Sequence, residues 1–557
     1  MRVTFEPECA TIGGFFDWCA RRYRDEVILI HRDRVWTYGE FAHEVERTAR
    51  ALLALGVEPG DRVGLWMANR PQWLAVQLAA GKVGAVLVPI NTRYKAGELA
   101  YILRQGGLRF LILMERFLGI DYPALVLEAL RNPDFGVDGG SLTLIVQEAG
   151  EGAEARPPAA TRSTWRELAS AAARVLSYDE FLAAGDAVDP SEVSRRQAAT
   201  RGDDLAGILY TSGTTSFSKG VMLGHRQIIE HEFKVGNCHD YGPGDRLIVV
   251  LPMFGSFICC NAVYSTLSHG AALILQEVAD AGETLRLFEE HRATSIYAVE
   301  AILQDLFRHP DFGRRDLSSW RKCQAAPVEP ATLRRLVEEL GVTGLQNGYG
   351  MTETCALATL THGGDPLEKR ITTQGRPIEG VEVRIVDVDS GEDVPPNTMG
   401  QILVRGPNVT RGYFGMPDET AKALAGGWLH TGDLGVLDDD GYLIFKGRIK
   451  EMVKPGGFNV SALELEAFFN ALPEVEETAI IGVPDARLGE AVVAVVRLAA
   501  GVEAGPETAR RLIEHARKHL ANFKVPKAVF FVDDYPRTPT GKVQKFKLVE
   551  RFAGRVD

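Results

Sequence analysis

The sequence has little cysteine and no pattern in it. Its seven cysteines, Cys9, Cys19, Cys238, Cys259, Cys260, Cys323 and Cys355, are odd in number and scattered without CxxC spacing. That argues against a disulfide framework or a zinc site and for a reducing compartment, the cytoplasm. No apolar run approaches the ~18 residues of a spanning helix. The opening, MRVTFEPECATIGG, has no apolar signal core after its basic residue, so export is not expected. Positive charge is also scarce: 62 Lys+Arg stand against 74 Asp+Glu, a formal charge of −12. No overall field draws such a chain to nucleic acid or an anionic membrane. Internal repeats and heptad runs are absent as well.

What is present is a globular composition. Across 557 residues, 45% are hydrophobic and 24% charged, enough for a sizeable core and, at ~150 residues per domain, for three or four units or one large body with a satellite. Phe41 to Leu55 has helical spacing and ends at Gly56. Arg62-Val-Gly-Leu-Trp reads as a strand, Gln72 to Val83 as a helix, and Gly84-Ala-Val-Leu-Val-Pro-Ile as a strand. Such alternation predicts a sheet with helices on both faces. The stretch from Glu148 to Asp203 is poorer in strand signals; its GEGAEARPPAATRS segment reads as an exposed loop before a helix near Trp165 to Val175.

The α/β pattern resumes with strands at Leu247 to Leu251 and Ala271 to Leu275 and a helix at Ala331 to Leu340. From Gly380 the runs VEVRIVD, QILVR and GYLIFKGR are strand-like, with turns at Asp389-Ser-Gly and Asp440-Gly. Then come a helix at Leu463 to Leu472, strands at Glu477 to Val483 and Ala491 to Leu498, and a helix at Pro506 to Leu520. The expected architecture is α/β: a large multi-lobed N-terminal body (1–447) with a β-rich part, a hinge (448–451), and a small mobile α+β domain (452–557).

Five segments carry chemistry. In Tyr210-Thr-Ser-Gly-Thr-Thr-Ser-Phe-Ser-Lys-Gly220, the hydroxyls of Thr211, Ser212, Thr214 and Thr215, the freedom of Gly213 and the charge of Lys219 suit a polyphosphate. The loop is not a Walker A loop; a polar surface turn is the alternative. In Asn347-Gly-Tyr-Gly-Met-Thr-Glu353, Tyr349 could stack on a base, Thr352 donate to a phosphate, and Glu353 supply a hard oxygen to Mg²⁺. Its GxG is no dinucleotide fingerprint, since Glu353 occupies the third glycine position. In Gly427-Trp-Leu-His-Thr-Gly-Asp433, Asp433 could accept both ribose hydroxyls or be a plain turn residue. The fourth segment, Gly447-Arg-Ile-Lys-Glu-Met-Val-Lys-Pro-Gly-Gly457, combines Arg448, Lys450 and Lys454 with paired glycines. The fifth, Pro536-Arg-Thr-Pro-Thr-Gly-Lys-Val-Gln-Lys545, presents Lys542 in a Pro/Gly-rich loop where a lysine is ordinarily solvated.

In this order, the motifs YTSGTT, YGMTE, HTGD, GRIKE and PRTPTGK resemble those of the adenylate-forming superfamily, which includes acyl-CoA synthetases, luciferases and the adenylation domains of peptide synthetases. The resemblance runs from about Phe15 to Leu548. It implies two half-reactions: a carboxylate attacks the α-phosphate of ATP, giving acyl-AMP and pyrophosphate, and a thiol such as that of CoA then displaces AMP. It assigns Thr211, Ser212, Gly213, Thr214, Thr215 and Lys219 to the β- and γ-phosphates, Thr352 to the α-phosphate and Glu353 to Mg²⁺. Tyr349, within Asn347-Gly348-Tyr349-Gly350, and Ala326 fall to the adenine pocket. Asp433 and Arg448 fall to the ribose, and Lys454 joins the nucleotide contacts. Lys542 becomes the cation between the two anionic reactants, Lys450 the hinge, and Gly456 and Gly457 the path of the thiol.

The chain departs from the family pattern in places. Ser216 and Ser218 replace the glycine and proline of TTG-x-PKG, at a cost expected in ATP affinity. Cys323-Gln-Ala-Ala-Pro327 replaces GGAP, and Ala462 stands where a proline often follows the hinge glycines. Gly255 stands where histidine often follows Pro-Met-Phe254. Met253 to Cys260 offers no acid to hold an α-ammonium, which argues against an amino acid. Phe254 and Gly255 suggest a roomy pocket for a fatty, aromatic or polycyclic acid, a packed core helix being the bland alternative. Transfer to a carrier protein or an amine, a regulatory paralogue without turnover, and a homodimer stay open at this stage.

Overall fold

The computed structural model describes residues 3–148, 159–211, 218–326, 328–449, 452–453, 455, 460–485, 489–520, 522–537 and 542–555. By internal contacts the chain divides into two units, one of residues 1–383 with 404–429, the other of 384–403 with 430–557.

The first unit holds two large sheets. In the seven-stranded sheet the order is Lys219–Gly224, Leu205–Thr211, Val86–Pro89, Arg62–Trp66, Phe110–Met114, Thr143–Gln147, Arg174–Ser177. Its neighbours are parallel except for the first pair, an antiparallel hairpin. The nine-stranded sheet has a parallel centre, Gly344–Tyr349, Lys322–Ala325, Ser295–Ala298, Arg246–Val249, Ala272–Leu275 and Val27–His31. Among them Arg246–Val249, Ala272–Leu275 and Val27–His31 are largely apolar, as suits strands buried on both faces. The expected α/β architecture is what the molecule has.

Element ends follow local chemistry. The helix expected from Phe41 starts earlier, at Tyr38, because Thr37 and Glu40 form a capping box (Glu40 N to Thr37 Oγ1, 3.2 Å; Thr37 N to Glu40 Oε2, 2.8 Å). The helix expected near Trp165 to Val175 instead spans Ala159–Ala171. Val175 belongs to an edge strand, Arg174–Ser177, whose half-exposed side chains give no alternating signal. The helical residues 159–163 correct the end of the expected loop; residues 149–158 lie outside the description.

One short turn links the two sheets. After the strand Arg62–Trp66, the amide of Asn69 reaches the carbonyls of Val249 (3.2 Å), Leu251 (2.9 Å) and Gln276 (3.0 Å), and its oxygen accepts from Met253 N at 2.8 Å. Next to it, Arg70 Nε lies 2.9 Å from Glu277, which also contacts His31 (3.2 Å) and Arg32 (2.8 Å).

In the second unit, Val475–Asp485, Gly489–Leu498 and Ala528–Phe531 form a three-stranded sheet. Val492, Ala494 and Val496 enter one core with Leu465 and Leu512, while Ala491, Val493 and Val495 enter another with Leu548 and Phe552. Burial on both faces explains why this strand lacks polar alternation. The runs VEVRIVD, QILVR and GYLIFKGR form Glu382–Val386, Gly400–Arg405 and Leu443–Arg448, which with Leu429–Leu437 make a four-stranded sheet. Among the described residues no helix is long and apolar enough to cross a membrane.

Candidate active site

The hairpin of the seven-stranded sheet frames the first motif. Thr211 and Lys219 are register partners at its loop end; Ser212, Gly213, Thr214, Thr215 and Ser216 lie outside the described residues. The root of the loop is fixed by Tyr101, whose hydroxyl donates to the Ser218 carbonyl at 2.9 Å. Beyond it, Phe414 N donates to Gly220 O (2.8 Å) and Met222 N to Gly412 O (3.0 Å), so the segment around Tyr413 runs along the hairpin's free edge.

That segment joins the first motif to the second. Lys219 Nζ lies 2.5 Å from Glu419 and 4.9 Å from the centre of the Tyr413 ring. The Tyr413 hydroxyl donates to Glu353 Oε1 at 3.0 Å, and Thr410 N donates to the Glu353 carbonyl at 2.7 Å. Burial, with the Glu353 carboxylate beside it, pushes the Tyr413 phenol well above its ordinary range, so it stays a donor. Asn408 donates to the carbonyls of Thr354 (3.2 Å) and Leu357 (2.9 Å), bracing the turn that carries Glu353. None of Asn408, Tyr413 and Glu419 was singled out from the sequence. The Gly/Pro punctuation of Gly406-Pro-Asn and Gly412-Tyr-Phe-Gly marks a loop, but the long-range pairing that brings it here has no local signature.

The strand Gly344–Tyr349 delivers Asn347, Gly348 and Tyr349, and Asn347 pairs in register with Ala325, the neighbour of Ala326. Tyr349 is buried. The glycines serve close approach of backbone: a Cβ on Gly350 would meet Ala356 O at 2.1 Å, and one on Gly348 would meet Thr359 O at 2.9 Å. Thr352–Thr354 forms a single 3₁₀ turn, followed by two non-glycine residues in the left-handed region, Cys355 (φ 53°) and Ala356 (φ 78°). Such conformations persist only where surrounding contacts over-determine them; here the Asn408 bonds do so.

Thr352 Oγ1 lies 3.1 Å from Ser256 Oγ. This places the phosphate-side turn against the segment read as the acyl wall. Phe254 and Gly255 are half-buried, and a Cβ on Gly255 would meet only Pro252 O, at an ordinary 3.6 Å. Backbone packing does not demand glycine there, so its effect is to leave room. The following residues, Phe257–Ala262, form a π-helix, a deviation frequent at functional sites.

Glu353 is the buried carboxylate of this constellation, at 6% exposure, while Glu419 is held by Lys219. The described residues contain no group of three or more side chains able to hold a metal. A single carboxylate completed by phosphate oxygens and water is the arrangement Mg²⁺ accepts, so the residues fit a metal that arrives with a nucleotide.

In the second unit, Asp433 and Arg448 are register partners on adjacent strands, with Arg448 Nε 3.4 Å from Asp433 Oδ1. Asp433 N donates to Thr431 Oγ1 at 3.0 Å. Ser461 caps the helix carrying Ala462 and donates to the Lys446 carbonyl at 2.7 Å. Lys542 is exposed, and its neighbour Val543 bridges back to Arg537. Lys450, Lys454, Gly456 and Gly457 lie outside the described residues.

A lysine-bearing hairpin joined through Tyr413 to a buried acid, on an α/β body followed by a small α+β unit, fits a nucleotide-activating ligase. The chain belongs to the AMP-binding enzyme family: that family's model matches residues 16–414, and the model of the AMP-binding enzyme C-terminal domain matches 464–542. It is 37% identical to the 3-[(3aS,4S,7aS)-7a-methyl-1,5-dioxo-octahydro-1H-inden-4-yl]propanoyl:CoA ligase of Mycobacterium tuberculosis, over 97% of this chain and 98% of that protein. It is 30% identical to the human mitochondrial medium-chain acyl-CoA ligase ACSF2, over 97% and 87%. Among solved structures, ATP-bound MatB from Rhodopseudomonas palustris superposes with a TM-score of 0.81 at 28% identity, over 98% and 100%. The protein is an acyl-CoA synthetase that uses ATP and CoA, forming acyl-AMP before the thioester.

Proposed function

We propose that the acid is hydrophobic and carries no α-ammonium group. The observation that carries this reading is the wall that follows Pro252: Gly255 leaves space, and no acid stands between Met253 and Cys260. The relatives named for a medium-chain acyl group and for a bicyclic propanoyl group support it. The test is acid-dependent exchange of labelled pyrophosphate into ATP over a panel of carboxylic acids, followed by detection of the CoA thioester. Exchange confined to amino acids or short polar acids overturns the reading.

In the proposed mechanism the carboxylate oxygen attacks the α-phosphorus and the bond to the pyrophosphate oxygen breaks; the CoA sulfur then attacks the acyl carbon and AMP departs. The difficulty of the first step is bringing two anions together, and preorganised cations and donors offset it. Thr211, Ser212, Gly213, Thr214, Thr215 and Lys219 hold the outer phosphates, with Lys219 exchanging its contact with Glu419 for the nucleotide. Thr352 donates toward the α-phosphate, oriented by Ser256. Glu353, held by Tyr413, is the protein ligand for Mg²⁺, which when bound neutralises phosphate charge. Asn347, Gly348, Tyr349, Gly350 and Ala326 form the adenine site; Asp433 and Arg448 hold the ribose, and Lys454 adds a further contact.

Lys542 supplies the cation between the reactants. Because it must then give way to the thiol, a rotation at residues 448–451 about Lys450 turns the domain 452–557, and Gly456 and Gly457 line the thiol's path. A cytoplasmic location is supported by seven cysteines of which none is in a disulfide.

A further inference from the structure

The helix that follows Gly255 and its neighbours carry fully buried polar groups that no role above uses. Glu232, on the helix His225–Cys238, is 0% exposed; its Oε2 accepts from Asn261 Nδ2 at 3.0 Å, and its Oε1 has no hydrogen-bond partner among the described residues. Asn261, also 0% exposed, leaves its Oδ1 unpaired. Gln324, 0% exposed on the strand Lys322–Ala325, pairs neither atom of its amide. Each such orphan costs about 1–3 kcal/mol when nothing satisfies it.

The π-helix ties this set to the segment read as the acyl wall. In an α-helix, at 3.6 residues per turn, positions 256 and 261 point about 140° apart. Here Val263 N bonds to Ile258 O, five residues back, and one wider turn brings Asn261 onto the side of Ser256, whose hydroxyl meets Thr352. Cys355, beyond the Glu353 turn, has Cys260 and Glu232 as electrostatic neighbours, which puts Glu232 on that side too. Gln324 and Tyr297 are parallel register partners, and the Tyr297 ring lies 4.9 Å from that of Phe257 in the π-helix.

Burial, with Cys260 beside it, pushes the Glu232 carboxyl well above the usual carboxylate range. Burial therefore favours its neutral, O–H-bearing form in an apolar surround. A buried donor beside an acceptor is suited to a neutral polar group on an otherwise apolar molecule.

We propose that Glu232 and Asn261 select carboxylic acids that carry an oxo group remote from the carboxylate, with Glu232 donating to that oxygen. The proposal rests on the acid-activating reading above and narrows its substrate class. Asn261 stands five residues beyond Ser256 along this wider helix, so the matching oxygen is several bonds from the carboxylate.

The experiment compares kcat/KM for CoA thioester formation with octanoic acid and with its 7-oxo derivative. Wild type should favour the oxo acid by roughly tenfold or more. Glu232→Leu should bring the ratio close to one, and Glu232→Gln, which keeps an N–H donor, should retain most of the preference. If Glu232→Leu does not fold, Asn261→Leu, expected to reduce the ratio severalfold, decides. A wild type indifferent to the oxo group, or a preference untouched by these changes, overturns the proposal and leaves bound water as the partner of the orphans. Failure of every acid in the panel strikes instead at the acid-activating reading.

Discussion

The Tyr413 hydroxyl donates to Glu353 Oε1 at 3.0 Å while the Lys219 ammonium lies 4.9 Å from the centre of the same ring. One aromatic side chain thus couples the cation of the phosphate hairpin to the carboxylate of the turn after Tyr349. The first sits on the seven-stranded sheet and the second in a turn that follows a strand of the nine-stranded sheet.

If that coupling positions Glu353 for Mg²⁺, Tyr413→Phe should raise the Mg²⁺ concentration needed for half-maximal adenylation. A hydrogen bond to a charged group is worth about 1.5–3 kcal/mol, so the rise is roughly 10–100-fold at most. Glu353→Gln should lower the adenylation rate more than Tyr413→Phe does. Pyrophosphate exchange titrated with Mg²⁺ measures both; an unchanged Mg²⁺ dependence in Tyr413→Phe excludes the positioning role.

Much of the local chemistry was legible in the sequence. Strand Arg62–Trp66 was expected at its observed ends, and the phosphate hairpin, the Thr352 turn and the Asp433–Arg448 strands were each recognisable as motifs. What stayed hidden depends on long-range packing. Tyr413 reaches Glu353 across 60 positions, and no periodicity reports such a contact. Glu232 sits in an amphipathic helix where an acid ordinarily faces water, so its burial and its Asn261 partner were not readable either. The π-turn at Phe257–Ala262 was equally invisible, because its residues have ordinary helical spacing.

Lys542→Ala should reduce acyl-AMP formation by roughly 10²–10³-fold, the usual scale for removing one electrostatic group from a transition state. Conversion of supplied acyl-AMP and CoA to the thioester should be spared. Single-turnover measurement of each half-reaction decides, and equal loss in both argues against a role confined to the first step.

Lys450→Pro should separate the half-reactions in the opposite sense. Proline fixes φ near −65° and so removes a soft dihedral from the proposed hinge. Acyl-AMP should form and accumulate while thioester production stops. Unimpaired overall turnover would rule out rotation about this residue.

Glu277 gives a pH prediction for stability. Burial opposes its charge, but His31, Arg70 and Arg32 outweigh that and hold its carboxyl at about 2. A depressed folded-state pKa contributes stability above the unfolded value of ~4.3 that is lost as pH falls toward 2. The shift corresponds to about 3 kcal/mol. Glu277→Gln should therefore be markedly less stable than wild type in urea at pH 7, with the gap closing through the acid range. A gap independent of pH would assign the loss to packing.

The side chain of Asn69 spends all its bonding on backbone from beyond its own sheet, touching the ends of strands Arg246–Val249 and Ala272–Leu275. Neither layer of the first unit can therefore melt without stranding polar groups of the other. Hydrogen exchange in the two should rise together, making them a single cooperative block despite their separate strand orders.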